Sequence, residues 1–545
     1  MLLRNRVSSS LALAAAAVAL APHSTAMTGT VFAGVPTANP KSTGISVGNV
    51  LTPELIESRL AQGSNRIENG TTSFPYYAFR GDGPMVPAPG AVQQPGSNVE
   101  ATKTEPDKNT YLVLPGQTGP DAAYNYGTHF VYQGHETGGA GYITRVNLDA
   151  DAAHRVTLMA TQDNLGNGLP VYDGSTWNPF CRRLLFSCEG SATSGGIWQA
   201  TVGFPSTVVD LGGYLGRGGY EGIQTDLDGI VYIVEDSGGP SGTLNSHAKQ
   251  PNSFLYRYIP NAINDLTQGG VLQALQVMSI ANPGQPIVFH AGQADADILS
   301  QDVADLHTYG LSFVTHWVTI HDTAVDGTTP FGANALAKAA LATPFKRPEN
   351  GQFRPGTNFS QFCFVETGDT NALTEAGSQY GGFGAILAWT KTAGSATDGT
   401  LQLVYRGDID RSSFDNCAFW SADQFVVVED RGDGLHAQHN ALDSAFVVDL
   451  SADYGNATTT APVRILAQGR DPLATIDSGL VSISGNGFQN EGDNEITGIH
   501  ISDGNPRLNG LLGATLPTPF SGGWRVFYTQ QHGENSLFEI LPNPH

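Results

Sequence analysis

The chain has little positive charge, little cysteine and, past its amino terminus, no long apolar run. Only 27 of its 545 residues are Lys or Arg, against 50 Asp or Glu, for a formal net charge of −23. Charged residues make up 14 %, well below the ~25 % usual for soluble domains. The acidity therefore reflects missing cations more than surplus acids. Such a balance excludes a general nucleic-acid binder, which needs a basic face to neutralise phosphates. Four cysteines, Cys181, Cys188, Cys363 and Cys417, are too few to be the main support of so long a fold. Their pairing stays open, although Cys181 and Cys188 flank a strand-like stretch and suit a mutual bridge poorly. No Cys-x-x-Cys occurs, which argues against thiolate-bound zinc. Beyond residue 26 nothing approaches the roughly 18 continuous apolar residues of a membrane span, so no transmembrane segment is expected.

Familiar catalytic signatures are also missing. There is no phosphate-binding Gly-x-x-x-x-Gly-Lys-Ser/Thr loop, and His135-Glu136 lacks the second His of a zinc-protease helix. The segment Gly216–Glu221 begins like a dinucleotide fingerprint but places Glu221 at the third glycine. Asp236-Ser237-Gly238-Gly239-Pro240 imitates a serine-protease nucleophile region with His154 upstream. Glu235 stands where a glycine is expected, however, and no Cys follows His154.

What is present is a large potential core, 40 % hydrophobic and 9 % aromatic, with 66 glycines. Residues 1–26 read as a secretory signal peptide: Arg4 and Arg6, an apolar run Leu11–Ala21, and Ser24-Thr25-Ala26 before cleavage. A secreted or periplasmic protein follows from that. Residues 27–106 form a Pro/Gly/Ser/Thr-rich, irregular N-terminal arm with one helical candidate over Pro53–Gln62. From there to residue 545 short alternating runs such as Tyr142–Val146, Gly229–Val234 and Ser253–Tyr258 predict strands. Turn signals such as Asp228-Gly229 and Asp433-Gly434 separate them. The best helix signal is Ala335–Ala342, with Asn334 as its cap. Many short strands in one long domain predict an all-β fold, a β-propeller over 107–545, with paired sandwiches as the rival. No fixed sequence period is visible.

The chemistry rests on carboxylates at strand ends. Glu189 and Glu235-Asp236 close strongly apolar runs, and a carboxylate carried inward must be neutralised or find a cation. Acids from several strand ends would converge on a propeller's channel, and oxygen donors there suit Ca²⁺, Mg²⁺, Mn²⁺ or ferric iron. Arg347, two residues from Glu349, is placed to hold an anion bidentately against such metals. Metals plus Arg around an anion is the arrangement for phosphate-ester hydrolysis.

At this point the chain resembles the PhoX-type alkaline phosphatases, secreted six-bladed propellers with an iron–calcium cluster. The resemblance runs over about 126–535, in order. It is carried by Gly134-His135-Glu136, Leu185–Glu189, Gly216-Arg217 through Tyr220-Glu221-Gly222, Val234-Glu235-Asp236 and Phe254–Arg257. Arg347-Pro348-Glu349, Asp415-Asn416, Glu495–Gly498 and Gln531–Glu534 continue it. Tyr220 stands in place of a family His. The family's iron-bridging Cys, about 13 residues before the Cys-Glu pair, corresponds to Ser175 by counting, so a thiolate-bridged di-iron centre is not expected.

The resemblance implies six blades and a metal-dependent phosphatase hydrolysing phosphate monoesters, acting as a monomer on a small phosphate-ester substrate. Glu221 and Glu349 would bind the catalytic metals. Glu136, Glu189, Asp236 and Glu495 would hold calcium or complete the cluster, and Arg347 would clamp phosphate. The cofactor expected is Ca²⁺, with Fe³⁺ or another transition metal as the alternative at the iron-type positions. His436 and His439 lie in a Gly/Asp loop that would either border the site or, the commoner case, simply expose them. A second reading is a non-enzymatic, calcium-stabilised propeller serving as a surface or matrix binding module.

Overall fold

The computed structural model describes residues 29–41, 48–83, 101–137, 139–469, 495–531 and 535–545. The signal-peptide reading and His532 to Glu534 lie outside them. The described chain is 39 % strand and 8 % helix, as the alternating runs require.

Four sheets of four or five strands and one of nine are arranged as a propeller-like ring. The nine-stranded sheet consists of two meanders, Tyr220–Val277 and Pro348–Arg406, bridged by the long strand Ser312–Asp322. The blade count depends on where that sheet is divided; cut at the bridging strand, it contributes two blades and the ring has six. The inner strands are then Pro106–Val113, Ser175–Asn178, Tyr220–Thr225, Pro348–Phe353, Phe414–Phe419 and Ile496–Ser502. Apolar clusters fill the spaces between adjacent blades, for example Ile223, Ile233 and Tyr256 against Leu185 and Ile197. Each blade thus buries both faces. That is why Phe425-Val426-Val427-Val428 reads as a continuous apolar run and not as an alternation.

The arm is less irregular than its composition predicts. Leu55–Ala61, inside the expected helix Pro53–Gln62, is a strand paired antiparallel with Ser536–Pro542 and closes the last sheet. A seven-residue helix would be marginal alone, whereas the sheet edge supplies its backbone partners. Val50–Leu51 likewise extends the fifth blade beside Val463–Ala467.

Two helix expectations also shift. The helix near 335 runs Ala333–Ala339 with Gly332 at its cap. Asn334 lies in the first turn and donates from Nδ2 to Glu235 Oε2 (3.1 Å) and Asn252 O (2.8 Å) instead of capping. Asp433-Gly434 is not a turn but part of a helix, Gly432–His439.

All four cysteines are buried and free. Burial raises their thiols, Cys181 to about 11 and the other three to about 12, so they pack as small apolar groups.

Candidate metal and phosphate site

The blades share a local pattern at one end of the ring. The inner strand and its neighbour begin pairing at Pro106–His135, Tyr220–Glu235, Pro348–Glu366, Phe414–Glu429 and Ile496–Gln530. In the first four the register shifts at once, and in the last after Thr497–Thr529, a bulge that re-aims the next side chains. The residue after the inner-strand partner is Asp107, Glu221, Glu349, Asp415 or Thr497. The residue after the second partner is Glu136, Asp236, Thr367, Asp430 or Gln531. Asp173 and Glu189 take corresponding places in the second blade, where Asp173 N–H donates to Ser187 O. Just before three inner strands the backbone turns left-handed, at Glu105 (φ 39°), Arg347 (φ 55°) and Ser413 (φ 54°). Non-glycine residues held there mark a strained, functional position.

The result is two layers of acid. Asp107, Asp173, Glu221, Glu349 and Asp415 form a buried floor, while Glu136, Glu189, Asp236, Asp430 and Glu495 stand half-buried above it. Three groups each bring one oxygen per residue within 4.8 Å of one another: Glu136–Asp173–Glu189, Glu189–Asp236–Glu349 and Glu221–Glu349–Asp415. Glu189 and Glu349 each belong to two of them, so the groups form one chain. Glu495 lies outside these triplets but feels Asp430 and Glu136, and burial with their charges pushes its carboxyl up.

Electrostatics mark the cluster as short of cations. Burial first, and then neighbouring carboxylates, raise Glu136, Asp173, Glu189, Glu221 and Asp415 well above the usual range. Burial and Asp236 lift Glu349 to about 8, while burial and Asp415 lift Asp107 to about 7. Asp173 Oδ1 and Glu221 Oε2 are buried without a hydrogen-bond partner. Others are held in place: Asn350 Nδ2 donates to Glu221 Oε1 (2.9 Å), and Asn416 Nδ2 to Asp415 Oδ1 (2.8 Å). Gln531 Nε2 bridges Asp107 Oδ2 and Glu136 Oε2, both at 2.8 Å. An all-oxygen set with unpartnered buried oxygens fits hard cations.

Arg347 is the cation at the edge of this cluster. Its Nη2 donates to Asp236 Oδ2 (2.6 Å) and Glu349 Oε1 (3.2 Å), and its Nε to both Asp236 oxygens at 3.0 Å. Lys249, half-buried beside it, is lowered by burial and by the Arg347 charge.

Of the residues expected from sequence, Glu136, Glu189, Glu221, Asp236, Glu349 and Arg347 come together in this way. Asp173, Asp107 and Lys249 were missed, and Asp415 was read only as part of a turn. The usable signal was positional: an acid immediately inside or ahead of each inner strand. Ser175 does not face the cluster. Its Oγ donates to Lys108 O (2.9 Å) and bonds Thr110 Oγ1 (2.9 Å), so Asp173 is the residue of that segment that reaches it. Tyr220 points away, its hydroxyl donating to Leu215 O (2.9 Å). The histidine expectation is corrected as well. His436 and His439 lie on the helix Gly432–His439; His436 is buried with Nε2 3.0 Å from Asp443, and only His439 remains partly exposed. His154 stacks on Tyr124 and bonds Asp151, while Ser237 N–H donates to Ser253 Oγ, so no serine-protease triad forms.

The family model for alkaline phosphatase PhoX matches residues 211–505, more than half of the chain. The chain belongs to the PhoX alkaline phosphatase family. The match takes in Glu221, Asp236, Arg347, Glu349, Asp415 and Glu495 of this PhoX protein. No curated protein sequence matches the chain. Among solved structures it is similar to the periplasmic gluconolactonase PpgL of Pseudomonas aeruginosa. The identity is 12 %, 76 % of this chain and 98 % of that one are covered, and the TM-score is 0.30. A PL25 ulvan lyase shares 10 % identity over 64 % and 83 % of the two chains, with a TM-score of 0.27. An α-L-arabinofuranosidase from Fusarium graminearum shares 10 % over 57 % and 79 %, with a TM-score of 0.23. No helix among the described residues is long and apolar enough to cross a membrane.

Proposed function

We propose that this PhoX-family protein is a metal-dependent phosphatase that hydrolyses small phosphate monoesters after export. The observation that carries the reading is Arg347, whose guanidinium lies between Asp236 and Glu349 at the edge of linked carboxylate triplets. A lone acidic pocket would serve a structural ion equally well. A guanidinium beside it adds recognition of an anion.

Glu221, Glu349 and Asp415 would hold the catalytic metal, and Glu136, Asp173, Glu189 and Asp236 the adjoining cations, with Glu495 completing the acidic layer above. Bound there, the metals would lower the pKa of a water and offset charge developing on the phosphoryl oxygens. Arg347 binds and orients the ester through its planar N–H donors, and Lys249 adds a second positive charge beside it. Asn350 and Asn416 fix the orientation of Glu221 and Asp415, the role that outer partners play for metal ligands. The buried floor keeps bulk water from screening these charges.

The all-oxygen donor set also favours a second reading, a calcium-stabilised propeller without catalysis, because no sulfur among the described residues joins the triplets. Metal content and turnover of p-nitrophenyl phosphate separate the two. We expect tightly held calcium, turnover, and loss of turnover with metal retained in Arg347→Gln. No turnover with calcium, magnesium, manganese or iron present would sink the phosphatase reading.

A further inference from the structure

The fifth blade carries a second concentration of charged groups, built around three arginines. Arg411, Arg431 and Arg464 line a cavity of about 350 Å³ together with His439 and Asp410. One wall is the arm segment Pro36–Ala38. That segment is tied down by Val35 N–H to Arg464 O (2.7 Å), Leu442 N–H to Asn39 O (2.8 Å) and Asn39 Nδ2 to Gln468 O (2.7 Å).

Arg431 is fully buried. Its Nη2 donates to Glu429 Oε1 (2.6 Å) and Asp410 O (2.9 Å), but Nε and Nη1 are buried and meet no acceptor. Arg411 Nε is in the same condition. Buried donors of a charged group are rarely left unsatisfied. Arg464 and Arg411 lie over the same ring, Phe446, at 5.0 and 5.9 Å. Like charges are thus crowded onto one cavity in a chain with only 27 Lys and Arg.

The neighbouring carboxylates match the guanidiniums in charge, and Glu429, Asp443 and Asp410 raise Arg431, but they leave these N–H donors unmet. Asp410 Oδ1 is 3.2 Å from His439 Nε2, and Asp408 lies 3.5 Å from Arg411. Glu429 and Asp443 sit behind Arg431, toward the blade interior, where Glu429 also accepts from Ser412 N–H and Asp443 pairs with His436. One guanidinium already satisfies a carboxylate bidentately, so three around one cavity suit an anion with more acceptor oxygens.

We propose that this cavity binds a phosphate-type oxyanion, at a site separate from the acid-lined channel. Asp430 faces the channel and the next residue, Arg431, faces away from it. The inference does not depend on the hydrolytic reading.

The test is calorimetric titration of orthophosphate into the metal-loaded full chain and into Arg464→Gln and Arg411→Gln. Both residues are only part-buried, unlike Arg431, and two independent variants guard against one that misfolds. Melting temperature and ester turnover serve as controls. Besides phosphate held at Arg347, we expect wild type to bind one further phosphate that both variants bind roughly tenfold or more weakly, with ester turnover unchanged. Acetate at the same concentration should not displace it. Unchanged phosphate binding in both variants would overturn the inference, as would displacement by acetate. Phosphate bound by wild type and lost in Arg464→Gln, in a chain with no turnover, would remove the hydrolytic reading and leave this one standing.

Discussion

Neighbouring acids at the blade ends have opposite fates. Glu235, Glu366 and Glu429 are the last residues of second strands, and each is met by protein. Glu235 Oε2 accepts from Tyr256 Oη (2.8 Å), Asn334 and Phe254 N–H. Glu366 accepts from Lys346 N–H (2.9 Å) and pairs with His307 (2.8 Å), and Glu429 from Ser412 N–H (2.8 Å) and Arg431. One residue further, Asp236 and Asp430 face the other way, into the channel, beside Glu136 and Glu189. The period of two along a strand sorts adjacent carboxylates between the blade interior and the channel. The first set is met by protein donors, although Glu235 Oε1 and Glu429 Oε2 stay without one. The second repels itself, and Arg347 beside Asp236 is the protein cation that meets it most closely.

The sharpest way to break this contrast is to neutralise one acid of each kind. Glu349→Gln should lower ester turnover by at least about a hundredfold, since even outer partners of a metal cost ten to a hundredfold, while folding persists without metal. Glu429→Ala should do the reverse. It leaves Arg431 buried and unpaired, at a cost of about 3–5 kcal/mol, with turnover per folded molecule retained. Denaturant melts alongside turnover assays separate the outcomes, and matched losses in both variants would erase the distinction.

Next comes pH. Glu349, raised from 4.5 to about 8, and Asp107, raised from 3.8 to about 7, bind protons more tightly folded than unfolded. Their protonated forms therefore favour the metal-free fold below their unfolded values. That stability is lost as pH rises through the folded ones. The chelated protein should melt several degrees lower at pH 8 than at pH 5, and calcium should restore it at pH 8, because a cation replaces the protons. A chelated protein more stable at pH 8 would contradict this.

Arg347→Lys keeps the charge but loses the planar fork. A rise in KM of roughly tenfold, with metal content unchanged, is expected from the weaker anion contact. The smallest effect belongs to His154→Ala: turnover should not change, and stability should fall only through the lost Tyr124 stack and Asp151 contact. A loss of turnover there would reopen the serine-nucleophile alternative.

Much of this was legible in sequence because apolar runs ending in acid are local signals. Leu184–Glu189 and Val231–Asp236 announced both the strand and the inward carboxylate. Asp107 was harder to see, since its strand starts with no apolar run before the acid and only the bulge aims it; Asp173 follows the apolar run Leu169–Tyr172 and was passed over. Ser175 was chosen by counting residues, and counting cannot detect which face of a strand a side chain takes. The strand Leu55–Ala61 was misread because its partner lies at the far end of the chain. Asn334 looked like a cap because the competing acceptor, Glu235, is distant in sequence.

That far-end pairing has a consequence for how the protein is made. Leu55 pairs with Pro542, so the ring cannot close until nearly the whole chain has been synthesised, and the loop to be closed spans almost all of it. The carboxylate cluster draws on every blade. Every triplet residue lies at or before Asp415, so all of these acids are made before the pairing of Leu55–Ala61 with Ser536–Pro542 can close the ring around them.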